Sequence, residues 1–443
     1  MFRRLLIANR GAIARRVVRA CRALGVESVV VYSNADQGAP YLTEADHAEP
    51  LPGVTAAESY LNQPAVLEIA RRLGCDAVHP GYGFLAENAG FARAVREADL
   101  EFIGPSPGHL DQLGDKVAAR ATFAERGFPM HAGSRLVEDA DDAMRAAEEI
   151  GYPVLLKPSQ GGGGIGMVRV DAASGLPAAM ARARAIADSS FGSTDVYLER
   201  FVTRARHVEF QVLADRQGNV MHLYERDCSV QRRHQKVIEE APAPGIPREA
   251  LTAVADAAVN TLAAVGYDGI GTVETLADAD QTFGFLEVNP RIQVEHAVTE
   301  AVTGVDIVEQ QIRLAAGGAL PSQPELSGHA IELRLYAEAH GTGAPSTGRL
   351  TVFRPPQLHD VRVETGFAEG QFVTPFYDPL LAKIIAHGAD RELAIGRALV
   401  ALRAFEVRGV DTNAAVLRAV LESQAFARGA VHTRFLDELE VGS

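Results

Sequence analysis

The chain has 443 residues, of which 47% are hydrophobic and 23% are charged, and its formal net charge is −14 at pH 7. This length predicts two or three domains with a large buried core, and the acidic balance argues against nonspecific nucleic-acid binding. The three cysteines lie far apart and no apolar run approaches the roughly 20 residues of a membrane span, which predicts a cytoplasmic protein with no membrane partner.

Short apolar runs alternate with amphipathic stretches through the first hundred residues. Strands are predicted at 5–8, 29–32, 77–79 and 101–103. Helices are predicted at 12–24, 63–73 and 89–98. This βαβ repetition predicts a parallel doubly wound sheet, and Gly104-Pro105-Ser106-Pro107 marks its end.

The pattern changes after the proline pair. Helices are predicted at 116–126, 139–150, 391–405 and 413–422. Strands are predicted at 154–156, 208–214, 220–224, 331–337 and 380–387. A hairpin is predicted from strands 272–276 and 283–288 with a turn at 278–280, and a break follows near 317–324. We therefore expect a central α+β domain and a C-terminal α+β domain.

Lysine is rare in this chain, with four lysines against 39 arginines. The four are Lys116, Lys157, Lys236 and Lys383, and each lies in a distinctive segment. A compact ammonium on a flexible stem differs in function from a planar guanidinium. The lysines that remain therefore indicate where an ammonium is chemically required.

Four consecutive glycines, 161–164, follow Lys157 and the strand predicted at 154–156. Without Cβ atoms, their backbone N–H groups can converge on an anion. The run lacks the Gly-Lys-Ser/Thr ending of a Walker loop and does not open a Rossmann helix. A flexible linker is the alternative, but the preceding lysine and strand favour a lid over phosphate groups.

The segment from Phe285 to His296 carries alternating polar residues. Read with a period of two, one face presents Glu287, Asn289, Arg291, Gln293 and Glu295. Glu274, on the partner strand of the hairpin, is expected close to Glu287. Two carboxylates and an amide oxygen favour Mg²⁺, and an adjacent guanidinium favours an oxyanion. The alternative is a solvated strand face, against which Pro290 counts because it removes a ladder donor.

Two further polar segments, 207–211 and 225–236, are interpreted as pocket lining, although the second alone is typical of a solvated loop. The glycine-containing loop 79–84 follows a predicted strand at its carboxyl end, where open α/β sheets bind ligands. A purely structural loop is an equal alternative there.

These segments together resemble the biotin carboxylases, the ATP-grasp component of biotin-dependent carboxylases, over nearly the whole chain. The resemblance lies in 7–11, 79–88, 102–116, 157–167, 206–215, 225–244, 287–300 and 377–383. It implies an N-terminal Rossmann-like (pre-ATP-grasp) domain over 1–114 and an ATP-grasp domain over 115–320. A mobile glycine-rich lid at about 130–203 and a C-terminal α+β domain over 328–443 are also implied.

The resemblance implies a two-stage reaction that uses ATP, Mg²⁺ or Mn²⁺, and bicarbonate. ATP phosphorylates bicarbonate to carboxyphosphate, which breaks down to CO₂ and phosphate. The phosphate takes the ureido proton of biotin, and the biotin enolate attacks CO₂. Biotin is a substrate borne by a biotin carboxyl carrier protein, a carboxyltransferase subunit is a further partner, and a homodimer is expected.

Residue roles are carried over position by position. ATP binding is assigned to Lys116, Lys157, Gly162, Gly163, Gly164, Glu199, His207, Gln231 and His234. Metal binding is assigned to Glu274, Glu287 and Asn289. The bicarbonate site takes Arg291, Gln293 and Val294, with Lys236 at the anion. Glu295 is the base that deprotonates bicarbonate, and Arg334 stabilises the enolate oxygen of biotin.

Three departures from the family pattern concern nucleotide handling and dimer contacts. Ile165 stands where the family has Lys or Arg, Ala12 replaces a glutamate, and the segment 339–345 is unusual. Another ATP-grasp ligase acting on bicarbonate or a carboxylate is one alternative, which would not be expected to carry the 225–244 block. A catalytically silent regulatory protein is another, which the retention of Glu295, Arg291 and Arg334 argues against.

Overall fold

The computed structural model describes residues 1–159, 165–340 and 342–439. Strands and helices alternate through the first 114 residues, and among them the strand at 47–50 and the helices at 40–44 and 107–114 were not predicted. The strands are β1 (Arg4–Ile7), β2 (Glu27–Tyr32), β3 (His47–Pro50), β4 (Ala77–His79) and β5 (Glu101–Phe102). The helices are α1 (Gly11–Leu24), α2 (Pro40–Glu44), α3 (Gln63–Arg72), α4 (Ala89–Glu97) and α5 (Pro107–Gly114).

The five strands form one parallel sheet in the order β3-β2-β1-β4-β5, which confirms the predicted doubly wound arrangement. Both faces of the sheet are covered, because Leu5 and Ile7 pack into one apolar cluster and Leu6 into another. The first cluster also contains Ile270 and Ile312, so this unit packs against the central part of the chain. At the carboxyl end of β4, the His79 ring lies 3.2 Å from Gln311 of that part.

The next segment forms a small antiparallel sheet of its own, in the order β6-β9-β7-β8. Its strands are β6 (Gly133–Leu136), β7 (Val154–Pro158), β8 (Val168–Val170) and β9 (Val196–Arg200). The helices nearby in sequence are α6 (Lys116–Glu125), α7 (Ala140–Ile150) and α8 (Leu176–Phe191). The helices at 116–126 and 139–150 and the strand at 154–156 are confirmed, whereas α8 and β9 were not predicted.

The following residues supply five long antiparallel strands and three helices. The strands are β10 (Arg206–Ala214), β11 (Val220–Arg232), β12 (Gln235–Ala241), β13 (Gly269–Ala277) and β14 (Phe283–Asn289). The helices are α9 (Arg248–Ala264), α10 (His296–Thr303) and α11 (Ile307–Ala315). The predicted hairpin is confirmed, and its register pairs Glu274 with Glu287.

The C-terminal part mixes two long strands with short ones and helices. The strands are β15 (His329–Tyr336), β16 (Gly348–Arg349), β17 (Val352–Arg354), β18 (Val361–Glu364), β19 (Phe372–Val373), β20 (Leu380–Gly388) and β21 (Glu406–Arg408). The helices are α12 (Arg391–Ala404), α13 (Ala414–Glu422), α14 (Gln424–Ala427) and α15 (Phe435–Glu438). The strands predicted at 331–337 and 380–387 and the helices at 391–405 and 413–422 are confirmed.

One eight-stranded sheet runs through the central and C-terminal parts, in the order β14-β13-β10-β11-β12-β15-β20-β18. The two parts join where β12 pairs antiparallel with β15, with Glu239 opposite Glu332. This pairing places Arg334 of β15 close to the residues of β12. Side chains from both parts therefore share one face of one sheet.

The segment from Phe285 to His296 is not one continuous strand, so the predicted alternation is wrong beyond Asn289. The strand β14 ends at Asn289 because Pro290 has no N–H to continue the ladder. The chain then turns, with the Arg291 nitrogen donating to the Asn289 carbonyl oxygen over 2.8 Å. Residues 291–295 form a loop that leads into α10.

Within the described ranges 1–159, 165–340 and 342–439, every helix is too short or too polar to cross a membrane.

Candidate active site

Three buried or half-buried carboxylates lie side by side across neighbouring strands. The registers pair Glu209 of β10 with Glu274 of β13, and Glu274 with Glu287 of β14. On the other side, Glu209 is opposite Arg226 of β11. Adjacent like charges repel, so this row needs cations on the same face of the sheet.

Lys236 supplies the central cation of this row. Its Nζ donates to Glu209 over 2.6 Å, to Glu274 over 2.8 Å and to Glu295 over 2.7 Å. Burial alone would lower the pKa of Lys236, but Glu209, Glu274 and Glu295 outweigh it and hold the pKa well above its usual value. The ammonium is therefore charged, and it joins the carboxylate row to the loop after β14.

Glu295 lies between two cations contributed by different parts of the chain. Its Oε1 accepts from Lys236 over 2.7 Å, and its Oε2 accepts from Arg334 Nη2 over 2.9 Å. Burial would raise the pKa of Glu295, but Lys236 and then Arg334 outweigh burial and hold the pKa far below its usual value. The free protein therefore keeps this carboxylate ionised.

Arg334 has a second carboxylate partner behind the site. Its Nε lies 2.5 Å from Glu239 Oε1, and the Glu239 side chain is fully buried. Burial raises the pKa of Glu239 to about 7, although Arg334 opposes the rise. Arg334 thus bridges the buried sheet face and the Glu295 carboxylate.

The loop after β14 brings its polar side chains together, although it is not a strand. Asn289 Nδ2 and Gln293 Nε2 both donate to Glu274 Oε1, over 2.9 and 2.6 Å. Arg291 Nη2 donates to Asn289 Oδ1 over 2.8 Å. Its Nε lies 3.2 Å from Glu87 of the loop that follows β4, so the N-terminal sheet contributes to this edge of the site.

The remaining residues assigned from the resemblance fall into two groups. His207 Nε2 lies 2.8 Å from Glu274 Oε2, and Gln231 Nε2 lies 2.7 Å from His207 Nδ1. Lys116 Nζ, at the start of α6, lies 3.2 Å from Glu287 Oε2. These three side chains therefore extend the carboxylate row.

The second group lies on the small sheet. Lys157 Nζ donates to Glu199 Oε2 over 2.8 Å, and Arg120 Nη1 lies 3.3 Å from Glu199 Oε1. Among the described residues, no hydrogen bond connects Lys157 or Glu199 to Lys236 or to the carboxylates that Lys236 contacts.

His234 lies apart from both groups. It is exposed in the tight turn between β11 and β12, where its φ is 68°.

The glycines 162, 163 and 164 lie outside the described residues. Ile165, which follows them, has 52% of its surface exposed.

Val294 is assigned to the bicarbonate site from the resemblance. Its carbonyl oxygen accepts a hydrogen bond from Lys383 Nζ over 2.6 Å, which places the backbone of Val294 next to β20.

The donor set fits a hard divalent cation. Glu274, Glu287 and Asn289 offer carboxylate and amide oxygens on paired strands, the ligand type that Mg²⁺ prefers. The half-buried Glu287 is opposite the fully charged Glu274, and Lys116 is its ion-pair partner at 3.2 Å within the described part of the chain. A divalent cation would relieve the repulsion between these two carboxylates.

Arg226 is a site residue that sequence reasoning did not single out. Its fully buried guanidinium donates five hydrogen bonds, to Glu209, Gln211, Thr299, Thr272 and Gln293. All five N–H groups of an arginine are thus satisfied. The signal was present in the polar segment 225–236, but a charged run does not reveal by itself whether it is buried.

Three segments, which together span most of the chain, match domain profiles of known protein families. Residues 1–110 match the family profile described as the biotin carboxylase N-terminal domain, and 332–438 match the biotin carboxylase C-terminal domain. Residues 115–323 match the ATP-binding domain of the carbamoyl-phosphate synthase L chain. Biotin carboxylase 2 of Bacillus subtilis is 46% identical over 442 residues, which cover 99% of this chain and 100% of that protein.

The chain belongs to the biotin carboxylase family. It is 44% identical to a pyruvate carboxylase subunit of Methanothermobacter thermautotrophicus over 447 residues, covering 100% of this chain and 91% of that one. It also superimposes with a TM-score of 0.96 and 41% identity on the biotin carboxylase domain dimer of Hydrogenobacter thermophilus 2-oxoglutarate carboxylase. That structure contains MgADP and bicarbonate, and the match covers 99% of this chain and 98% of that one. The family's members are ATP-grasp ligases, and this chain is one of them.

Proposed function

We propose that the chain carboxylates biotin with bicarbonate at the expense of ATP, as the first half-reaction of a biotin-dependent carboxylase. The observation that carries the proposal is the position of Glu295. This carboxylate is held by Lys236 from the ATP-grasp side and by Arg334 from the C-terminal side. A base at this junction can serve bicarbonate activation on one side and biotin carboxylation on the other.

Bicarbonate is proposed to bind at the loop after β14, with Arg291, Gln293 and the backbone of Val294 around its oxygens. Glu295 accepts the bicarbonate proton, and the resulting oxyanion attacks the γ-phosphorus of ATP. The P–O bond to ADP breaks, and the products are carboxyphosphate and ADP. Lys236 neutralises the developing negative charge, since its ammonium already lies beside Glu295.

Carboxyphosphate then decomposes to CO₂ and phosphate, and phosphate removes the ureido proton of biotin. Arg334 donates to the enolate oxygen that forms, and the ureido nitrogen attacks CO₂. For this role Arg334 must turn its Nη2 from Glu295 towards biotin. That exchange is feasible because its Nε stays paired with Glu239 at 2.5 Å.

The nucleotide is proposed to lie between the small sheet and the carboxylate row. The residues proposed to contact ATP are Lys116, Lys157, Glu199, His207, Gln231 and His234. Glu199 also accepts a hydrogen bond from Lys157. Glycines 162–164 are proposed to cover the phosphates as a lid. A divalent cation held by Glu274, Glu287 and Asn289 would supply charge neutralisation for the triphosphate.

The division into residues 1–114, 115–320 and 328–443 is proposed as the functional organisation, with a mobile lid at about 130–203. In this arrangement the long sheet joins the second and third units through β12 and β15. Cytoplasmic localisation is also proposed, and it is supported by three cysteines that are buried and free of disulfides.

The biotin carrier is proposed to be a partner polypeptide rather than part of this chain. A lysine must be accessible to be biotinylated, and the four lysine side chains are only 15%, 4%, 12% and 1% exposed. None of them is flanked by methionine. After co-expression with a biotin ligase, an avidin blot of this chain should be blank, and a band at its mass would contradict the proposal.

A partner carboxyltransferase and a homodimeric assembly complete the proposal. They are supported by two relatives, one a component of a pyruvate carboxylase and the other a domain dimer. The activity itself is tested by phosphate release from ATP. We expect release only with Mg²⁺ or Mn²⁺ and bicarbonate, and a faster rate when free biotin is added. A rate unaffected by biotin would instead favour another ATP-grasp ligase acting on bicarbonate.

A further inference from the structure

Lys383 is the one lysine without a role in the reaction described above. It lies on β20, and its side chain is 1% exposed. The other three lysines contact Glu287, Glu199 and Glu295, which all belong to the candidate active site. In a chain that uses arginine almost everywhere, a fully buried lysine indicates a specific requirement.

The ammonium of Lys383 faces three acceptors. Its Nζ donates to the carbonyl oxygen of Val294 over 2.6 Å and lies 2.7 Å from Glu364 Oε2 and 3.7 Å from Glu332 Oε2. The sheet register explains this environment, since Lys383 is directly opposite Glu364 on β18 and Arg334 on β15. The lysine therefore connects the C-terminal sheet to the loop that carries the bicarbonate site.

The contact with Val294 has a geometric consequence for Glu295. The carbonyl of Val294 and the N–H of Glu295 belong to one planar peptide unit. Fixing the carbonyl oxygen therefore fixes the orientation of the nitrogen and the start of the Glu295 side chain. Residues 291–295 have no strand partner within the described part of the chain, so the loop needs such an anchor.

We propose that Lys383 is a positioning residue that orients the Val294–Glu295 peptide and so sets the affinity of the site for bicarbonate. The inference rests on the function proposed above. Lys383 does not touch the reacting atoms, and it acts through the backbone of the loop. A compact ammonium can donate to Val294 and still lie beside both carboxylates, whereas a planar guanidinium differs in shape and in the directions of its donors.

The buried charges around Lys383 dictate how the proposal is tested. Burial would raise the pKa of Glu364, but Lys383 and then Arg362 outweigh burial and hold the pKa well below its usual value. Removing Lys383 alone therefore weakens the compensation of a buried carboxylate, which destabilises the fold for a reason unrelated to the loop. Replacing Glu364 with glutamine in the same chain removes that charge as well.

The experiment compares the full-length wild type, Lys383→Met and the double variant Lys383→Met/Glu364→Gln. The control is Arg391→Met, which removes a cation paired with Glu240 at 2.6 Å. The other partners of Arg391 are Ala427 and Phe426, which lie outside the loop 291–295. For each protein, the KM for bicarbonate, the KM for ATP and the melting temperature are measured. We expect the KM for bicarbonate to rise about tenfold in both Lys383 variants, with the KM for ATP nearly unchanged.

The melting temperature separates the two roles of the lysine. Lys383→Met should melt lower than the double variant, and the control should lose stability without a change in either KM. A wild-type KM for bicarbonate in the double variant would overturn the proposal, as would parallel increases in both KM values. If the wild type itself cleaved ATP without bicarbonate, the proposed function would fail, independently of the variants.

Discussion

Replacing Arg334 with methionine should separate ATP cleavage from biotin carboxylation. Arg334 is proposed to stabilise the enolate oxygen of biotin, a charge that develops only after ATP has reacted with bicarbonate. An oxyanion contact of this kind contributes about 3 kcal/mol, which corresponds to roughly a hundredfold in rate. We therefore expect biotin carboxylation by Arg334→Met to fall about a hundredfold.

ATP cleavage should respond less, for a reason visible in the structure. Arg334 Nη2 is one of two cationic partners of Glu295, and Lys236 remains at 2.7 Å when the arginine is removed. Losing this charge-assisted hydrogen bond weakens the hold on the Glu295 carboxylate by about 1.5–3 kcal/mol. The loss also lets the pKa of Glu295 rise towards its usual value, which makes it a stronger base. The two effects oppose each other, so bicarbonate-dependent ATP cleavage should change by less than about tenfold.

The variant must also be shown to fold. Without Arg334, the buried Glu239 loses its partner at 2.5 Å, and burial, which already raises its pKa to about 7, will raise it further. A carboxyl group whose pKa is raised in the folded state stabilises the protein below its unfolded pKa, and that stability is lost as pH rises through the folded value. The melting temperature of Arg334→Met should therefore fall with rising pH. In the matched double variant Arg334→Met/Glu239→Gln this additional fall should be absent.

The assay follows ADP formation and carboxybiotin formation in the same reaction at saturating bicarbonate. The ratio of ADP to carboxybiotin should rise at least about tenfold in both Arg334 variants. Equal loss of the two products, in a protein with a normal melting transition, would refute the enolate role of Arg334.

Two further predictions concern Ile165, where the family has Lys or Arg, and the buried carboxyl group of Glu332. Ile165→Arg should lower the KM for ATP about two- to tenfold by adding a cation next to the proposed glycine lid, because Ile165 is 52% exposed and has room for a longer side chain. Ile165→Ala is the control, and an unchanged KM in the arginine variant would show that the missing cation does not limit ATP binding. The stability of Glu332→Gln relative to the wild type should increase as pH rises from about 5 towards 8. Burial raises the pKa of the fully buried Glu332 to about 8, so its charged form is unfavourable in the folded wild type. A difference in melting temperature that is independent of pH would contradict this reasoning.

The parallel sheet could be predicted because its signal is local. The strands β1, β2 and β4 contain short apolar runs, and both faces of the sheet are covered, so continuous hydrophobicity is sufficient evidence for them. The strand β3 is polar and could not be found in this way. The hairpin of β13 and β14 was equally accessible, since two alternating runs flank a short turn. Its register, with Glu274 opposite Glu287, also depends on a bulge between Glu274 and Thr275, which the turn length does not predict.

The loop after β14 shows how a wrong local structure can still select the right residues. Asn289 and Gln293 do converge on Glu274, but through a turn at Pro290 rather than along one strand face. Their spacing satisfies either geometry, so periodicity could not distinguish them. In the sequence the proline argues only against a solvated strand, whereas in the structure its missing N–H ends the strand.

Long-range pairing and burial could not be read from the sequence. The segment containing Arg226 looks like a charged loop, yet it is the centre of a 13-residue strand whose polar groups pair inside the protein. Likewise, nothing local indicates that β12 pairs with β15, or that Lys383 is opposite Arg334. The helix α9, with 17 residues, was not predicted either.

Glu295 is proposed to be the base that couples ATP cleavage to biotin carboxylation. The decisive measurement is the transfer of labelled bicarbonate to biotin, with ADP quantified in the same samples, for the wild type and Glu295→Gln. We predict equal amounts of ADP and carboxybiotin from the wild type, and a loss of both products in the variant, which should still show a cooperative melting transition. ADP formation at the wild-type rate by Glu295→Gln would contradict the account.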